Sequence, residues 1–308
     1  MPGSLTRRSI LGGLLATGGL AIARQQSSAA VQRQIISKPI PATGEDLAVV
    51  GLGSWITFNV GEDAQLRDEC AAVMQAFFDA GGRLIDSSPM YGSSQEVIGY
   101  GLAKLTRPQT PFAADKVWTP SASHGLDQIE QSRAFWNIPR FDLLQVHNLV
   151  GWQDHLPTLF AMKEKGELRY VGITTSEGRR HAELERIMRS QPLDFIQLTY
   201  NIVDREAEQR LFPLAQDLGM AVIVNRPFQQ GVLIERLKSY RLPEWAKEFD
   251  AHNWPQLILK FIVSHPAVCC AIPATGRVDH LQENMDAAYG RLPDQPMRAR
   301  IAAYVEQL

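Results

Sequence analysis

Four side chains in the first half of this sequence have the types and spacing that carbonyl chemistry requires. Asp86, Lys116 and His147 each stand at the end of a short, mostly apolar run that is typical of a β-strand. Tyr91 follows Asp86 by 5 positions. Burying an ionisable group at the end of an apolar strand costs free energy unless the group is paired. We therefore expect Asp86 to pair with Lys116 and to keep that ammonium group charged beside the Tyr91 phenol.

Together these groups suit general acid catalysis at a carbonyl oxygen. A phenol with a pKa of about 10 is a poor proton donor at neutral pH, and a nearby cation favours its phenolate. We expect the charge of Lys116 to lower the pKa of Tyr91 and to make it a usable acid. A carbonyl oxygen that gains negative charge needs hydrogen-bond donors, which Tyr91 and His147 supply. The nucleophile that attacks the carbonyl carbon is not among these side chains.

Other reaction classes lack their signatures in this chain. It has no nucleophile elbow, no H-E-x-x-H motif and no P-loop, so acyl transfer, zinc hydrolysis and phosphoryl transfer have no support. Its 3 cysteines form no C-x-x-C pair, so no metal site is predicted. A hydride from a nicotinamide would fit the polarised carbonyl, although residue types alone do not require it.

An alternation of strand and helix patterns positions these residues. No low-complexity linker interrupts it, so it predicts one α/β domain, a parallel (β/α)8 TIM barrel with its active site at the carboxyl ends of the strands. The predicted strands are residues 47–51, 83–86, 112–117, 141–147, 168–173, 195–198, 221–225 and 268–272. The predicted helices are residues 64–80, 96–105, 126–136, 156–165, 179–189, 206–218 and 280–288.

Two local patterns refine this architecture. Residues 34–39 and 46–50 flank the turn-forming segment 42–45, which predicts an N-terminal β-hairpin that closes the barrel bottom. Ser93 and Glu96 form a capping-box pattern, which predicts the start of the helix that follows the second strand.

The first thirty residues have the layout of an export signal. Arg7 and Arg8 precede an apolar stretch over residues 10–23, which is shorter than the roughly 20 residues of a membrane-spanning helix. Residues 6–11 resemble the twin-arginine signal, which directs folded proteins out of the bacterial cytoplasm. We expect residues 1–30 to be a signal peptide that is removed or briefly tethers the chain.

This interpretation predicts a single domain over residues 31–308, located in the periplasm or otherwise exported, with the twin-arginine machinery as a partner. The whole chain has 31 basic and 33 acidic residues, and 3 of the basic ones lie in residues 1–30. Without them the formal charge is -5 rather than -2. Such a mildly acidic domain gives no reason to expect a nucleic-acid partner or a stable membrane anchor.

The four residues and their surroundings resemble the aldo-keto reductase family. Residues 51–55 are similar to the exit of the family's first strand, and residues 83–92 are similar to its Asp and Tyr signature. Lys116 and His147 lie in segments similar to those of the other two members of the family's catalytic tetrad. The intervals between the four members are 5, 25 and 31 residues, close to those of the family.

This resemblance implies a barrel that binds NADP, with NAD as the alternative, and reduces an aldehyde or ketone to an alcohol by hydride transfer. It implies Tyr91 as the general acid and no metal. Trp55 and Trp118, just past strand ends, are expected to line the substrate pocket or to close the barrel top. The cofactor-binding residues that the resemblance implies are Thr174, Thr175, Gln197, Asn225, Arg226, Thr275, Arg277, Glu283 and Asn284.

Some of these positions depart from the family's pattern. Thr174 and Thr175 replace the usual Ser-Asn pair, and Asn225 stands where many members stack an aromatic ring on the nicotinamide. Arg226 would contact the pyrophosphate and Arg277 the 2′-phosphate of NADP. The family also leaves a second function open: a nucleotide-sensing or partner-regulating barrel with little turnover, like the potassium-channel beta subunits.

Overall fold

A curled, parallel sheet of eight strands, flanked by helices, is the central element of the computed structural model, which describes residues 34–308. It confirms the α/β class. The predictions for residues 1–30 lie outside the described residues. The strands are β1 (Ser37–Pro39), β2 (Asp46–Ala48), β3 (Leu52–Gly53), β4 (Leu84–Asp86), β5 (Phe112–Val117), β6 (Leu143–Val146), β7 (Tyr170–Thr174), β8 (Phe195–Thr199), β9 (Ala221–Asn225) and β10 (Val268–Ala271). The α-helices are α1 (Ala64–Asp79), α2 (Ser94–Lys104), α3 (Ala122–Trp136), α4 (Trp152–Glu164), α5 (His181–Ser190), α6 (Leu211–Asp217), α7 (Val232–Leu237), α8 (Trp254–Val263), α9 (Val278–Asp286) and α10 (Gln295–Glu306).

The sheet pairs its strands in chain order, from β3 to β10, each parallel to the next. This order follows from the alternation of strands and helices, since parallel neighbours need a crossover connection. Two isolated parallel bridges, Val50 with Ala271 and Gly53 with Ala274, join the two edges of the sheet. Because all eight strands run in the same direction, their carboxyl ends lie at one end of the curled sheet.

The predicted N-terminal hairpin is present and pairs β1 with β2 in antiparallel register. Its residues Ile40 and Leu47 are buried in one cluster with the first residues of six strands. Lys38 fastens the hairpin, because its Nζ donates 2.7 Å hydrogen bonds to three backbone carbonyls between the end of α8 and the start of β10. The hairpin therefore covers the amino ends of the strands. The six residues are Leu84, Phe112, Leu143, Tyr170, Phe195 and Ala221.

Seven of the eight predicted strands lie within two residues of an observed strand. The first, residues 47–51, is wrong, because one continuous apolar run is divided between two strands. Its start belongs to the hairpin strand β2, and the sheet strand β3 begins only at Leu52. The sequence patterns also missed α8, which is buried on nearly all sides and so lacks a polar face to reveal its period. Among the helices of residues 34–308, none combines the length and the apolar character that crossing a membrane requires.

Candidate active site

The four predicted catalytic side chains lie together at the carboxyl end of the sheet. Asp86 is the last residue of β4, Lys116 is one residue from the end of β5, and His147 directly follows β6. Tyr91 ends a short 3-10 turn, Pro89–Tyr91, between β4 and α2. Asp86, Tyr91 and His147 line one cavity of about 1010 Å³. The fourth side chain, that of Lys116, is fully buried beside them.

Lys116 and Asp86 form a buried ion pair. Nζ of Lys116 lies 2.5 Å from Oδ2 of Asp86, and the two side chains are 0% and 2% exposed. The ammonium group also donates to the backbone carbonyl of Ser87, and Oδ1 of Asp86 accepts from the Gln197 amide at 2.8 Å. Burial alone would lower the pKa of Lys116, but the attraction of Asp86 and then of Tyr91 outweighs burial and raises it. The lysine is therefore held in its charged form.

Tyr91 lies next to this charge, with the ammonium nitrogen of Lys116 5.1 Å from the centre of its ring. The expectation that Lys116 lowers the pKa of Tyr91 below its usual value is wrong. Burial raises the pKa of the phenol, and the charge of Lys116 offsets that rise only in part. Tyr91 consequently carries its proton at neutral pH, and Lys116 is placed to stabilise the phenolate once that proton has left.

His147 stands at right angles to Tyr91, with 5.6 Å between the ring centres. Its pKa is well below 6.5, because burial and then the charge of Lys116 disfavour a second positive charge. Nδ1 of His147 is 2.7 Å from Oγ of Ser88. The imidazole is therefore neutral at physiological pH, so a neutral ring and a protonated phenol face the same cavity. This pair can donate hydrogen bonds to one oxygen atom of a bound substrate.

The turn that carries Tyr91 ends at a position that requires glycine. Gly92 has a φ of +60°, and a Cβ there would lie 2.2 Å from Oδ1 of Asn59. Asn59 also accepts from both the backbone N–H and the hydroxyl of Ser93, and that hydroxyl accepts from Gly61. The capping-box pattern of Ser93 with Glu96 correctly predicted the helix start, since Ser93 is the N-cap residue of α2. The capping hydrogen bond itself is absent, because the Ser93 hydroxyl is used by this loop.

Most of the predicted cofactor-binding residues line the same cavity. The two exceptions are Thr175, whose buried Oγ1 has no hydrogen-bond partner within residues 34–308, and Arg277, which is exposed and paired with Asp279. These roles stay predictions, although the positions of the seven lining side chains are compatible with them. The seven lining residues are Thr174, Gln197, Asn225, Arg226, Thr275, Glu283 and Asn284.

The strands β7, β8 and β9 line the cavity with the polar side chains of Thr174, Gln197 and Asn225. Oγ1 of Thr199 donates to Oδ1 of Asn225, and Nδ2 of Asn225 donates to the backbone carbonyl of Thr175. The cavity volume lies at the top of the roughly 300–1000 Å³ range of small-molecule sites. These residues therefore fit a nicotinamide nucleotide together with a small substrate.

The two predicted substrate-pocket tryptophans differ in position. Trp55 lines the cavity, and the guanidinium group of Arg226 lies 5.1 Å from the centre of its ring. Arg226 also pairs with Glu177, another lining residue, at 2.7 Å. Trp118 is 42% exposed and is not among the lining residues. The side chain of Trp55 is therefore positioned to contact bound molecules, and the role of Trp118 stays a prediction.

Several polar residues of this site were not predicted from the sequence. Ser176 and Glu177 line the cavity, and Ser88 contacts His147. Ser88 lies two positions after Asp86, so it could have been flagged by its place in the signature segment. Its contact across to β6 could not, because that contact depends on how two strands are brought side by side.

Comparison with known proteins finds similar sequences over most of this chain. Residues 49–304 match the family model described as the aldo/keto reductase family. The methylglyoxal reductase YeaE of Escherichia coli is 27% identical over 258 residues, covering 80% of this chain and 88% of that protein. The NADH-specific methylglyoxal reductase of Escherichia coli is 25% identical, covering 68% and 72%.

Solved structures show the same fold. A thermostable aldo-keto reductase in complex with the inhibitor epalrestat is 26% identical, with a TM-score of 0.74 and coverage of 87% of this chain and 99% of that chain. An aldo/keto reductase from Klebsiella pneumoniae in complex with NADP and acetate is 21% identical, with a TM-score of 0.72 and coverage of 85% and 93%.

Proposed function

Because this chain belongs to the aldo/keto reductase family, we propose that it reduces an aldehyde or ketone to an alcohol with a nicotinamide nucleotide, preferring NADPH. The observation that carries the proposal is the convergence of Asp86, Tyr91, Lys116 and His147 at one cavity, which the polar residues of β7 to β9 also line. We also propose that the joined edges of the sheet make a closed (β/α)8 TIM barrel, with the hairpin across the end opposite the cavity.

In this mechanism the chain's own residues bind and protonate the carbonyl oxygen. Tyr91 and His147 donate hydrogen bonds to that oxygen, which polarises the carbonyl bond. A bound reduced nicotinamide supplies the hydride that the carbonyl carbon takes up. Tyr91 then gives its proton to the oxygen, and the charge of Lys116, held by Asp86, stabilises the phenolate that remains.

An absorbance assay at about 340 nm tests this function, because the reduced and oxidised nucleotides differ there. The substrates are methylglyoxal, which the names of two relatives suggest, and a panel of larger aldehydes, ketones and quinones. We expect turnover with at least one class, and loss of turnover in Tyr91→Phe. Nucleotide binding without turnover on any carbonyl would contradict the proposal and favour the nucleotide-sensing alternative.

The preference for NADPH rests on Arg277, whose guanidinium group could pair with a 2′-phosphate. In the structure two of its nitrogens donate to the Asp279 carboxylate, at 3.0 and 2.5 Å. We expect Arg277→Ala to raise the Kd for NADPH about tenfold and to leave the Kd for NADH unchanged. Asp279→Asn is the matched variant, because it frees the guanidinium and should tighten NADPH binding. Fluorescence titration measures both, and equal losses for the two nucleotides in Arg277→Ala would refute the assignment.

The pH dependence of the reaction follows from the two proton donors. Burial raises the pKa of Tyr91 above its ordinary value and lowers the pKa of His147 well below 6.5. Neither group therefore changes its protonation between about pH 6.5 and about pH 9. We expect these two donors to add no titration to kcat/KM for reduction across this range. The buried carboxyl of Asp115, next to Lys116, has its pKa raised to about 7 by burial and can titrate within it. A titration near the ordinary histidine value that persists in Asp115→Asn would show that His147 is not held neutral.

Export through the twin-arginine route is also part of our proposal, and the pattern in residues 1–30 supports it. Cell fractionation of the tagged protein should find it outside the cytoplasm. Changing both Arg7 and Arg8 to Lys should retain it inside. An unchanged location in the double variant would exclude this route.

A further inference from the structure

The hydroxyl group of Ser88 touches both elements that carry the proton donors. Its Oγ lies 2.7 Å from Nδ1 of His147, and the two residues are 0% and 5% exposed. The same Oγ accepts a 3.2 Å hydrogen bond from the backbone N–H of Met90 and so caps the turn that ends at Tyr91. One buried oxygen atom therefore connects the histidine after β6 with the turn after β4.

The hydrogen-bond inventory of this hydroxyl fixes the direction of its contact with His147. A serine oxygen has one proton to donate and two lone pairs to accept with. Met90 uses one lone pair, and Nδ1 of His147 is the one acceptor for the hydroxyl proton among the hydrogen bonds of residues 34–308. If Nδ1 carried a proton instead, the hydroxyl proton of a fully buried serine would have no acceptor, at a cost of about 1–3 kcal/mol. Ser88 therefore donates to Nδ1.

The position of the ring proton follows from this direction. His147 is neutral, because burial and Lys116 keep its pKa well below 6.5. A neutral imidazole has one N–H, and the hydrogen bond made by one nitrogen decides which nitrogen carries it. With Nδ1 accepting from Ser88, the proton resides on Nε2. His147 lines the cavity, and no residue within 34–308 forms a hydrogen bond with its Nε2. The Nε2–H group is therefore free to donate to a ligand.

We propose that Ser88 is a positioning residue that holds His147 as its Nε2–H tautomer and, through the same oxygen, aligns this donor with the turn that carries Tyr91. The proposal rests on the proposed carbonyl reduction for its catalytic consequence, but the tautomer itself is a property of the protein without substrate. The Ser88 hydroxyl contacts His147 directly and contacts Tyr91 through the backbone of its turn. This one buried group therefore sets the distance between the two donors to the substrate oxygen.

Nuclear magnetic resonance of the full chain labelled with 15N-histidine tests the tautomer directly. Two-bond proton–nitrogen correlations distinguish the two neutral tautomers from each other and from the charged ring, and His147→Gln identifies the resonance. We expect His147 to be neutral with its proton on Nε2 from about pH 6.5 to about pH 8. A proton on Nδ1, or a charged ring at about pH 7, would overturn the proposal, whatever the activity of the protein.

Ser88→Ala tests the catalytic consequence. We expect kcat to fall about 10- to 100-fold, since one donor to the oxygen is misaligned, with the Kd for NADPH unchanged. The acidic limb of the kcat/KM profile should move to higher pH, because Nδ1 loses a donor that favours the neutral ring. The Nδ1 resonance of His147 should also shift. Ser88→Thr keeps the hydroxyl and should recover most of the rate.

Ser132→Ala is the matched control, because it removes an equally buried serine hydroxyl, 1% exposed, outside the residues that line the cavity. It should leave kcat and the His147 spectrum unchanged. Wild-type kcat and an unshifted Nδ1 resonance in Ser88→Ala would refute the positioning role. If the wild-type chain reduces no carbonyl, the proposed function fails, while the spectrum still decides the tautomer.

Discussion

Replacing Tyr91 with phenylalanine should lower kcat for carbonyl reduction by about 10²- to 10⁴-fold, the usual contribution of a positioned general acid. Phenylalanine keeps the ring against which Lys116 and His147 pack, but removes the proton that the carbonyl oxygen takes up. Nucleotide affinity should change little. Steady-state rates and a fluorescence titration on the same preparation separate the two effects.

Tyr100→Phe provides the control for this substitution. It makes the same chemical change on α2, where the phenol donates to Asp68 on the outside of the sheet and is not among the residues that line the cavity. Its kcat should equal that of the wild type. A Tyr91→Phe enzyme with more than about a tenth of the wild-type kcat would show that another group supplies the proton.

Lys116→Met should destabilise the fold by about 3–5 kcal/mol and abolish measurable reduction. The substitution leaves the Asp86 carboxylate buried without its counter-charge, with the Gln197 amide as its nearest remaining donor. It also removes the positive charge that favours the Tyr91 phenolate, so the pKa of the phenol should rise further. Urea unfolding followed by circular dichroism measures the stability change.

Lys104→Met is the control that tests whether the loss of stability in Lys116→Met comes from the burial of the ion pair. Lys104 is 2.5 Å from Asp68, the same distance as in the buried pair, but the two side chains are 48% and 54% exposed. An exposed pair gains little because water already solvates both charges. The urea midpoint of Lys104→Met should match that of the wild type. A similar loss of unfolding free energy in the two variants would show that burial does not increase the contribution of the Lys116–Asp86 pair.

The positions of the site residues could be predicted from the sequence, but their protonation could be predicted only in part. Asp86, Lys116 and His147 could be placed at one end of the sheet because each ends a strand, and parallel strands end together. Their protonation could not be predicted in full. The charge of Lys116 was correctly expected beside Tyr91, but the degree of burial that outweighs it depends on the packing of the whole cavity wall.

Local patterns failed where distant parts of the chain compete for the same atoms. Ser93 has the sequence of a capping residue, yet Asn59 and Gly61 use its hydroxyl. The apolar run at residues 47–51 resembles one strand, yet its start pairs with β1. The partners of Ser93 lie 32 and 34 residues away, so no pattern within a short window could have identified them. The pairing of β1 with the start of the apolar run was predicted by the hairpin pattern, and only the assignment of the same run to the central sheet was wrong.

The three hydrogen bonds of Lys38 also constrain the order in which the molecule can fold. Their acceptors lie 225 to 230 residues further along the chain, so this contact cannot form during synthesis until most of the protein has emerged. Closing so long a loop makes hairpin docking a late step. The hairpin begins only a few residues after the predicted signal peptide. In the sequence, the predicted signal peptide therefore directly precedes a segment that docks late in folding.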